Sequence, residues 1–437
     1  MTNLLTVKNR AASLVMAIFI SIPTANALES SALLYQQSSY GYSADRWQTH
    51  TTRLDIELNQ ALEKSNFTAL LRLKTDLESE LNSPSTPDNY ASLNRPRYHR
   101  EHFAGALREL YWERQIDNTF WRIGKQQVVW GEADGVKLVD LVNPQSYQEF
   151  ILPSSDDSRI PVWMLNIEHS LNQETNIQVL WIPDASTHEI APVGSPFRIT
   201  SALQVPQQNS SQDVRLVSPS APKRIIKDSD FGLKLSRFWN GWDVTLNYLY
   251  HTIDEPVFET RIDSSGVSVV GDYRRSHMLG GTASSAFDDW TLRVELAFES
   301  DRYHRNRQTQ SGISKANQWG SVIGADFQGW SDQFLSLQWY QSQINGKVDG
   351  LIKAQQEDTL TLLWEVSMLN DTLTLSLQQL YSVDHRDGLS RPKLSYNLFS
   401  NLDVFTSVDH FFGSQDGLYG QFGDSDRITI GFELGLD

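Results

Sequence analysis

The sequence of 437 residues contains no cysteine, so disulfide bonds, thiol catalysis and zinc sites with cysteine ligands are excluded. It has 37 basic against 53 acidic residues. This balance argues against a nucleic-acid binder, because such proteins neutralise phosphates with Lys and Arg. After residue 27 no apolar run approaches the roughly 18 residues that a membrane-spanning helix needs. A polytopic helical membrane protein is thereby excluded, whereas a membrane protein made of strands is not.

The N-terminus has the features of a secretory signal. Lys8 and Arg10 precede an apolar run at residues 11–20, Pro23 ends that run, and Ala-Asn-Ala follows at residues 25–27. A basic segment, a short apolar segment and small residues in this order are typical of a cleaved signal peptide. The sequence therefore predicts a signal peptide at residues 1–27 and export of residues 28–437 to the cell envelope.

The exported part repeats a pattern of alternating apolar and polar residues. At residues 242–250 Trp, Val, Leu, Tyr and Tyr alternate with Asp, Thr, Asn and Leu, and residues 290–299 and 428–436 repeat this pattern. Such alternation indicates strands with one apolar and one polar face. The segments are about ten residues long, as in transmembrane barrels, whereas strands of soluble sandwiches have about five or six.

Short and long connections alternate along the chain. Eight short connections, such as Asp117-Asn118 and Asn240-Gly241, join closely spaced strands. Nine longer polar stretches lie between these pairs, at about 42–49, 78–102, 131–159, 184–228, 254–274, 300–317, 344–357, 382–388 and 414–426. Short periplasmic turns and long outer loops are typical of outer-membrane barrels. The sequence predicts one all-β domain, a transmembrane antiparallel barrel of about 18 strands. Sixteen is the alternative, because 30–41 and 275–286 are weakly patterned.

The most specific segment is WRIGKQQVVWGEADGVKLVDLVNP at residues 121–144, followed by DDSRIPVW at 156–163 and Trp-Ile-Pro at 181–183. Over roughly residues 103–183 the sequence resembles the DUF1302 family of Gram-negative outer-membrane proteins. The family shares a GrQ…WGe…d.vNP core and a later R.P. The resemblance implies an outer-membrane barrel whose partners include an RND-type exporter and an outer-membrane lipoprotein. It also implies traffic of lipids or hydrophobic compounds.

The same segment is the predicted third outer loop, at about 131–159. It combines charges of both signs with an apolar stretch, Leu138 to Val142, that is unsuited to a free loop. One interpretation is a loop folded into the lumen, where facing charges would form a pore constriction. The other is a structural tether to the barrel wall. The candidate constriction residues are Glu132, Asp134, Lys137, Asp140, Asn143, Asp156, Asp157 and Arg159.

Charged residues on the polar phase of the strands are predicted to face the lumen, because a charge facing lipid is costly. The candidate lumen-lining residues are Arg72, Lys74, Lys234, Arg293, Glu295, Glu365 and Glu433. The last strand resembles the signal that barrel-assembly machinery recognises, and its candidate residues are Thr429, Gly431, Leu434 and Leu436. Here the chain ends in Asp437 where the commonest form has an aromatic residue.

Enzyme signatures are few. The ten histidines show no metal-ligand spacing, and only Asp384-His385 and Asp409-His410 are pairs that a serine hydrolase could use. We therefore predict a porin-like channel or export-associated barrel in the outer membrane, passing small solutes, lipids or hydrophobic compounds. No catalytic residue, metal or cofactor is expected, and membrane lipids and the assembly machinery are the expected partners. A barrel hydrolase and a structural or adhesive barrel with a blocked lumen are the alternatives.

Overall fold

A computed structural model describes residues 28–78, 89–99, 102–133, 135–206, 214–217, 219, 222, 224–264 and 266–436. The predicted signal peptide lies outside these residues. The main structure is a set of eighteen strands: β1 (Leu28–Gly41), β2 (Arg46–Leu62), β3 (Ser65–Asp76), β4 (Phe103–Ile116), β5 (Thr119–Gln126), β6 (Val162–Asn172), β7 (Thr175–Ile182), β8 (Asp230–Trp239), β9 (Trp242–Thr252), β10 (Arg275–Phe287), β11 (Trp290–Arg305), β12 (Ile313–Phe327), β13 (Gln333–Ile344), β14 (Gln356–Met368), β15 (Leu373–Ser382), β16 (Asp387–Phe399), β17 (Leu402–Phe412) and β18 (Arg427–Leu436).

Each strand pairs antiparallel with the next, and β18 pairs antiparallel with β1, from Ala32 opposite Leu436 to Gly41 opposite Arg427. The sheet is thus a closed barrel. The prediction of 18 strands is confirmed and the alternative of 16 is wrong, because the two weakly patterned segments form the complete strands β1 and β10. Closure leaves no unpaired edge, as a barrel that spans a membrane requires.

One end of the barrel carries the eight short turns and the other carries the nine loops; we call them the turn end and the loop end. The turn at Asn240-Gly241 has φ values of 50° and 85°, the left-handed pair that a two-residue hairpin needs. Loop 3 is defined as residues 127–161, loop 4 as 183–229 and loop 9 as 413–426. The first and sixth loops, 42–45 and 306–312, are shorter than predicted. Backbone pairing of the flanking strands extends into the polar segments, as far as Arg305 opposite Ile313.

The two faces of the wall differ in chemistry as the alternation predicts. On β9 the Leu246 side chain faces outward and is 55% exposed, whereas the neighbouring Asn247 faces inward and is fully buried. Outward aromatic pairs mark both ends of the apolar belt, for example Phe298 with Trp319 near the loop end and Trp290 with Phe327 near the turn end. Among the described residues no helix is long and apolar enough to cross a membrane.

Small elements outside the barrel wall lie in the loops. Loop 3 contains one helical turn, Ser155–Ser158, and its strand Ser146–Tyr147 pairs with Glu189–Ile190 of loop 4. Val214–Val217, Val257–Asp263 and Gly266–Asp272 form a three-stranded sheet. The short strand Arg97–His99 pairs with β4, and a 3₁₀ helix spans Gly420–Ser425 in loop 9. Loops 3, 4 and 9 meet at the loop end, where Phe150, Phe197 and Phe422 belong to one buried cluster.

Candidate functional site

Loop 3 lies against the inner wall of the barrel. Its buried apolar side chains form one cluster with inward-facing side chains of β6, β7 and β9 to β12, which we call the apolar anchor. The loop contributes Val128, Trp130, Leu138, Val139 and Val142, and the wall contributes Val162, Met164, Leu180, Ile182, Leu249, Met278, Ala297 and Val322. The apolar stretch that was unsuited to a free loop is thus removed from water.

Glycines of the wall receive the large side chains of the apolar anchor. A Cβ atom at Gly232 on β8 would lie 2.7 Å from Cη2 of Trp130, and one at Gly320 on β12 would overlap Leu138. The indole Nε1 of Trp130 also donates to Oε1 of Gln178 on β7 at 2.7 Å. The inner wall therefore has recesses shaped for loop 3, which indicates one defined seat for the loop.

The wall side of this anchor was missed by the sequence analysis, although a signal for it exists. Where the inner wall is covered, apolar residues occur on both phases of a strand, as in the uninterrupted run Val179 to Ile182 of β7. Leu180 and Ile182 are buried there, while Val179 and Trp181 are exposed. A continuous apolar run is typical of a strand that is covered on both faces. It would have indicated the contact of β7 with a loop.

Three of the predicted constriction residues fix the shape of loop 3. Arg159 Nη2 lies 2.9 Å from Oδ2 of Asp140, and both side chains are buried. The Asn143 side chain, 1% exposed, accepts the backbone N–H of Val128 at 2.8 Å and donates to the carbonyl of Ile160 at 3.0 Å. These contacts join the beginning, middle and end of the loop.

A first ionic anchor joins loop 3 to the wall at β2 and β3. The Asp157 carboxylate lies 2.8 Å from Arg53 Nη1 and 2.9 Å from Arg72 Nη2, and Arg72 also binds Asp55. Arg108, at a bulge in β4, donates to the backbone carbonyl of Arg159 at 3.1 Å. Burial alone would raise the pKa of Asp157, but the two arginines hold that pKa well below its ordinary value.

A second ionic anchor joins loop 3 to the closing strand. Arg427 of β18 binds Glu149 of loop 3 and Asp409 of β17, both at 2.8 Å, and all three side chains are buried. Beside this anchor, Phe150 of loop 3 packs with Phe197 of loop 4 and with residues of β15 to β17 and loop 9. Loop 3 is therefore in contact with the wall at β2–β4, at β6–β12 and at β15–β18, and so crosses the lumen.

The remaining candidate constriction residues are placed differently. The backbone N–H groups of Glu132 and Ala133 donate to the Glu295 carboxylate of β11, which fixes the start of the loop. Lys137 is half-buried with Nζ 2.5 Å from Oε1 of Gln145, and burial lowers its pKa to about 8. Asp156 has an 88% exposed side chain. Asp134 lies outside the described residues. The constriction role itself stays a prediction.

The predicted lumen-lining residues lie on the inward phase of their strands. Arg293 binds Asp326 of β12 and donates to the Glu132 carbonyl of loop 3 at 2.8 Å. Glu295 and Arg72 likewise contact loop 3 or its partners, so they hold the loop and also face the lumen. The others follow the same alternation at intermediate burial: Lys74, Lys234, Glu365 and Glu433.

The predicted assembly signal lies at the seam where β18 meets β1. The Thr429 hydroxyl faces inward and is 2.9 Å from the Ser39 hydroxyl of β1. Gly431 leaves space for the ring of Phe405, since a Cβ atom would lie 2.5 Å from Cζ of that ring. Leu434 and Leu436 are on the outward phase. Recognition by assembly machinery stays a prediction.

The two Asp-His pairs considered for hydrolysis do not form. Asp409 faces inward to Arg427, whereas His410 faces outward, with its Nδ1 2.6 Å from Asp426. His385 pairs instead with Glu357, at 3.1 Å. Neighbouring residues of a strand point to opposite faces, which separates Asp409 from His410. Asp384 and His385 lie in the connection between β15 and β16, where Asp384 accepts the backbone N–H of Asp358. The described residues contain no cluster of three or more metal-ligating side chains.

The fold and the inward loop define the class of the molecule: a large antiparallel barrel of the outer-membrane porin type. OccK2 (OpdF) of Pseudomonas aeruginosa, solved in complex with glucuronate, superposes with a TM-score of 0.52 at 11% identity, covering 94% of this chain and 98% of that one. OccAB1 of Acinetobacter baumannii gives 0.52 at 8% identity, covering 94% and 96%. OpdK of P. aeruginosa gives 0.51 at 10% identity, covering 94% and 99%. At these identities the likeness concerns the fold.

The family follows from the sequence. The profile described as "Protein of unknown function (DUF1302)" matches residues 21–387, most of the chain. The chain belongs to the DUF1302 family, as the motif at 121–144 predicts. A comparison with curated protein sequences finds no match.

Proposed function

We propose that this protein is a porin-like channel of the outer membrane that passes small hydrophilic solutes, with loop 3 as its constriction. The observation that carries the proposal is that loop 3 crosses the lumen and contacts the wall on three sides. An 18-stranded barrel is wide enough for an aqueous lumen, so an element seated across it determines what can pass. We further propose that the loop end faces outward and that both chain termini lie in the periplasm.

Charges at the level of loop 3 support a path for hydrophilic solutes. Asp140 and Arg159 are buried in an ion pair, whereas Asp156, which also pairs with Arg159, has an 88% exposed side chain. Glu132 and Lys137 are half-buried charges of the same loop. Lys234 of the wall is half-buried on the same side as Glu132. Charges of both signs around a narrow opening discriminate solutes by charge and size.

The apolar residues of the lumen argue against lipids as the cargo. The large apolar patch of the inner wall is covered by loop 3, and Leu180 and Val139 have no exposed surface. A hydrophobic solute would therefore meet mainly polar side chains unless the loop left its seat. An RND-type exporter and a lipoprotein stay proposed partners on the family resemblance alone.

Conductance in planar bilayers tests the proposal. The purified protein should form steady channels, and a variant lacking 133–142 that also carries Arg159→Gln should conduct about two- to threefold more. The second substitution removes the guanidinium that the deletion would leave without Asp140. A deletion of 347–352 in the seventh loop is the matched control and should leave the conductance unchanged.

Selectivity gives a second readout of the same role. Glu132→Gln should lower the preference for cations without a change in barrel assembly. Absence of channels from the folded protein would refute the channel. Equal conductance of the wild type and the loop 3 deletion would leave loop 3 as a tether.

A further inference from the structure

The outward face of β1 to β3 carries a group of polar side chains, which we call the outer polar patch: Gln36, Ser38, His50, Thr52 and Thr75. Strand register places them side by side, with Gln36 opposite Thr52, Thr52 opposite Thr75, and Ser38 opposite His50. Their inward neighbours Gln37 and Arg53 contact loop 3 or its partners, which fixes the patch on the outside of the wall.

The patch lies within the depth that lipid would otherwise cover. Toward the loop end it is bordered by Tyr40 and Trp47, an aromatic pair with ring centroids 5.3 Å apart. Toward the turn end it is bordered by the row Leu34, Leu54 and Leu73. Outward aromatic side chains mark the membrane interface. The patch lies on the turn-end side of Tyr40 and Trp47 and is therefore at hydrocarbon depth.

Neighbouring parts of the wall are apolar at the corresponding positions. On β18 the residues opposite Ser38 and Gln36 are Ile430 and Phe432. Farther around the barrel Leu279, Leu296 and Ile323 face outward with about half of their surface exposed. Polar side chains also face outward elsewhere, for example Ser321 of β12 opposite Gln341 of β13, where the Gln341 amide donates to Asp358 at 3.0 Å. The polar face of β1–β3 therefore contrasts with the closing strand beside it.

Only part of the hydrogen-bonding capacity of the patch is used within the chain. Gln36 Nε2 donates to the Ser38 hydroxyl at 2.8 Å, and His50 Nδ1 lies 2.9 Å from the same hydroxyl. Within the described residues, neither the side-chain oxygen of Gln36 nor the hydroxyl of Thr52 has a hydrogen-bond partner. Polar groups without partners are costly in hydrocarbon, so something other than lipid tails should cover them.

We propose that a second copy of this chain covers the outer polar patch, so that the barrel is a homo-oligomer about an axis normal to the membrane. Copies inserted in the same direction present the patch at the same depth, and amide and hydroxyl groups both donate and accept. The patch has no Lys or Arg that would attract an anionic lipid headgroup. Ile428 and Ile430, 45% and 56% exposed, provide apolar contact beside it. The inference rests on membrane insertion and not on an open lumen.

The absence of cysteine makes cross-linking in intact outer membranes a direct test. Thr52→Cys, alone in a chain without other thiols, should yield a covalent dimer of this chain with a short bismaleimide. Ser321→Cys, outward on β12 across the barrel, is the matched control and should stay monomeric. The proposal would be overturned if the Thr52→Cys protein stayed monomeric although its thiol was completely labelled, or if it were cross-linked only to another protein.

A second variant tests the hydrogen bonds themselves. Gln36→Leu with Thr52→Val keeps the side chains similar in size and should weaken association about tenfold or more in native mass spectrometry. Ser321→Leu should leave the oligomer intact. A wild-type protein that is a single barrel in native membranes and in mild detergent would contradict the proposal. The channel proposal would survive that result, because conductance is measured separately.

Discussion

Loop 3 is held to the barrel in two chemically different ways. On β6 to β12 it is held by apolar side chains that fit wall glycines, such as Leu138 at Gly320. On β2–β4 and at the closing strand it is held by ion pairs centred on Asp157 and Arg427. Apolar burial changes gradually as atoms are removed, whereas a buried ion pair fails when either partner is lost. The apolar side therefore fixes the position of the loop, and the ionic sides are where it can be released.

The largest effect should follow loss of the buried ion pairs at the closing strand. Arg427→Met would leave the buried Glu149 carboxylate with only the Gln37 amide, at 3.3 Å, while Asp409 would keep Arg391 at 2.9 Å. Loss of one partner of a buried ion pair costs about 3–5 kcal/mol. We expect a lower thermal unfolding midpoint and irregular single-channel currents. The double variant Glu149→Gln with Arg427→Gln, which removes both charges of the pair, should lose less. Equal losses in the two variants would show that packing, and not charge, holds this side.

The apolar anchor should respond more gradually. Leu138→Ala removes buried methyl groups and should destabilise the seated loop by about 2–5 kcal/mol, with the smaller value if neighbouring residues settle into the space. Hydrogen exchange of the loop 3 amides measures this loss. Val193→Ala, at an 80% exposed position of loop 4, is the control. Unchanged protection in Leu138→Ala would mean that the ion pairs alone seat the loop.

The smallest expected effect is that of acid pH, which should weaken the ionic contacts of loop 3 and leave its apolar contacts unchanged. The pKa of Asp157 is lower in the folded protein than the ordinary value of 3.8. Its stabilising contribution is complete above that value and is lost as the pH falls below it, by at most about 1–2 kcal/mol because the side chain is partly exposed. The protection of Asp157 and its neighbours against hydrogen exchange, taken relative to the intrinsic exchange rate at each pH, should fall below about pH 4, while Leu138 to Val142 stay protected. Asp157→Asn should lack this part of the pH dependence.

The barrel itself could be predicted from the sequence because each strand must satisfy a period of two. The strand count followed from alternation and from turns such as Asn240-Gly241. The sequence placed the end of β11 too early and the start of β12 too late, because backbone hydrogen bonds continue where side chains are polar on both faces. Backbone hydrogen bonding between strands, unlike the burial of side chains, produces no pattern of hydrophobicity in the sequence.

The site could be predicted only in part. The apolar stretch Leu138 to Val142 indicated a covered loop, but not which strands cover it. The ion pairs of Asp157 with Arg53 and of Glu149 with Arg427 could not be predicted, because their partners are more than a hundred positions apart in the sequence. Strand phase predicts only that both arginines face the lumen. The Asp409-His410 hypothesis was wrong because adjacent strand residues face opposite sides.

Arg427 belongs to the last strand of the chain, and its partner Glu149 is made much earlier. During biogenesis the carboxylate of Glu149 has no guanidinium at this place until β18 has joined β1 and β17. The ion pair can therefore fasten this side of loop 3 only when the barrel has closed. A barrel still open at its seam would expose the interior without its crossing loop fully fastened.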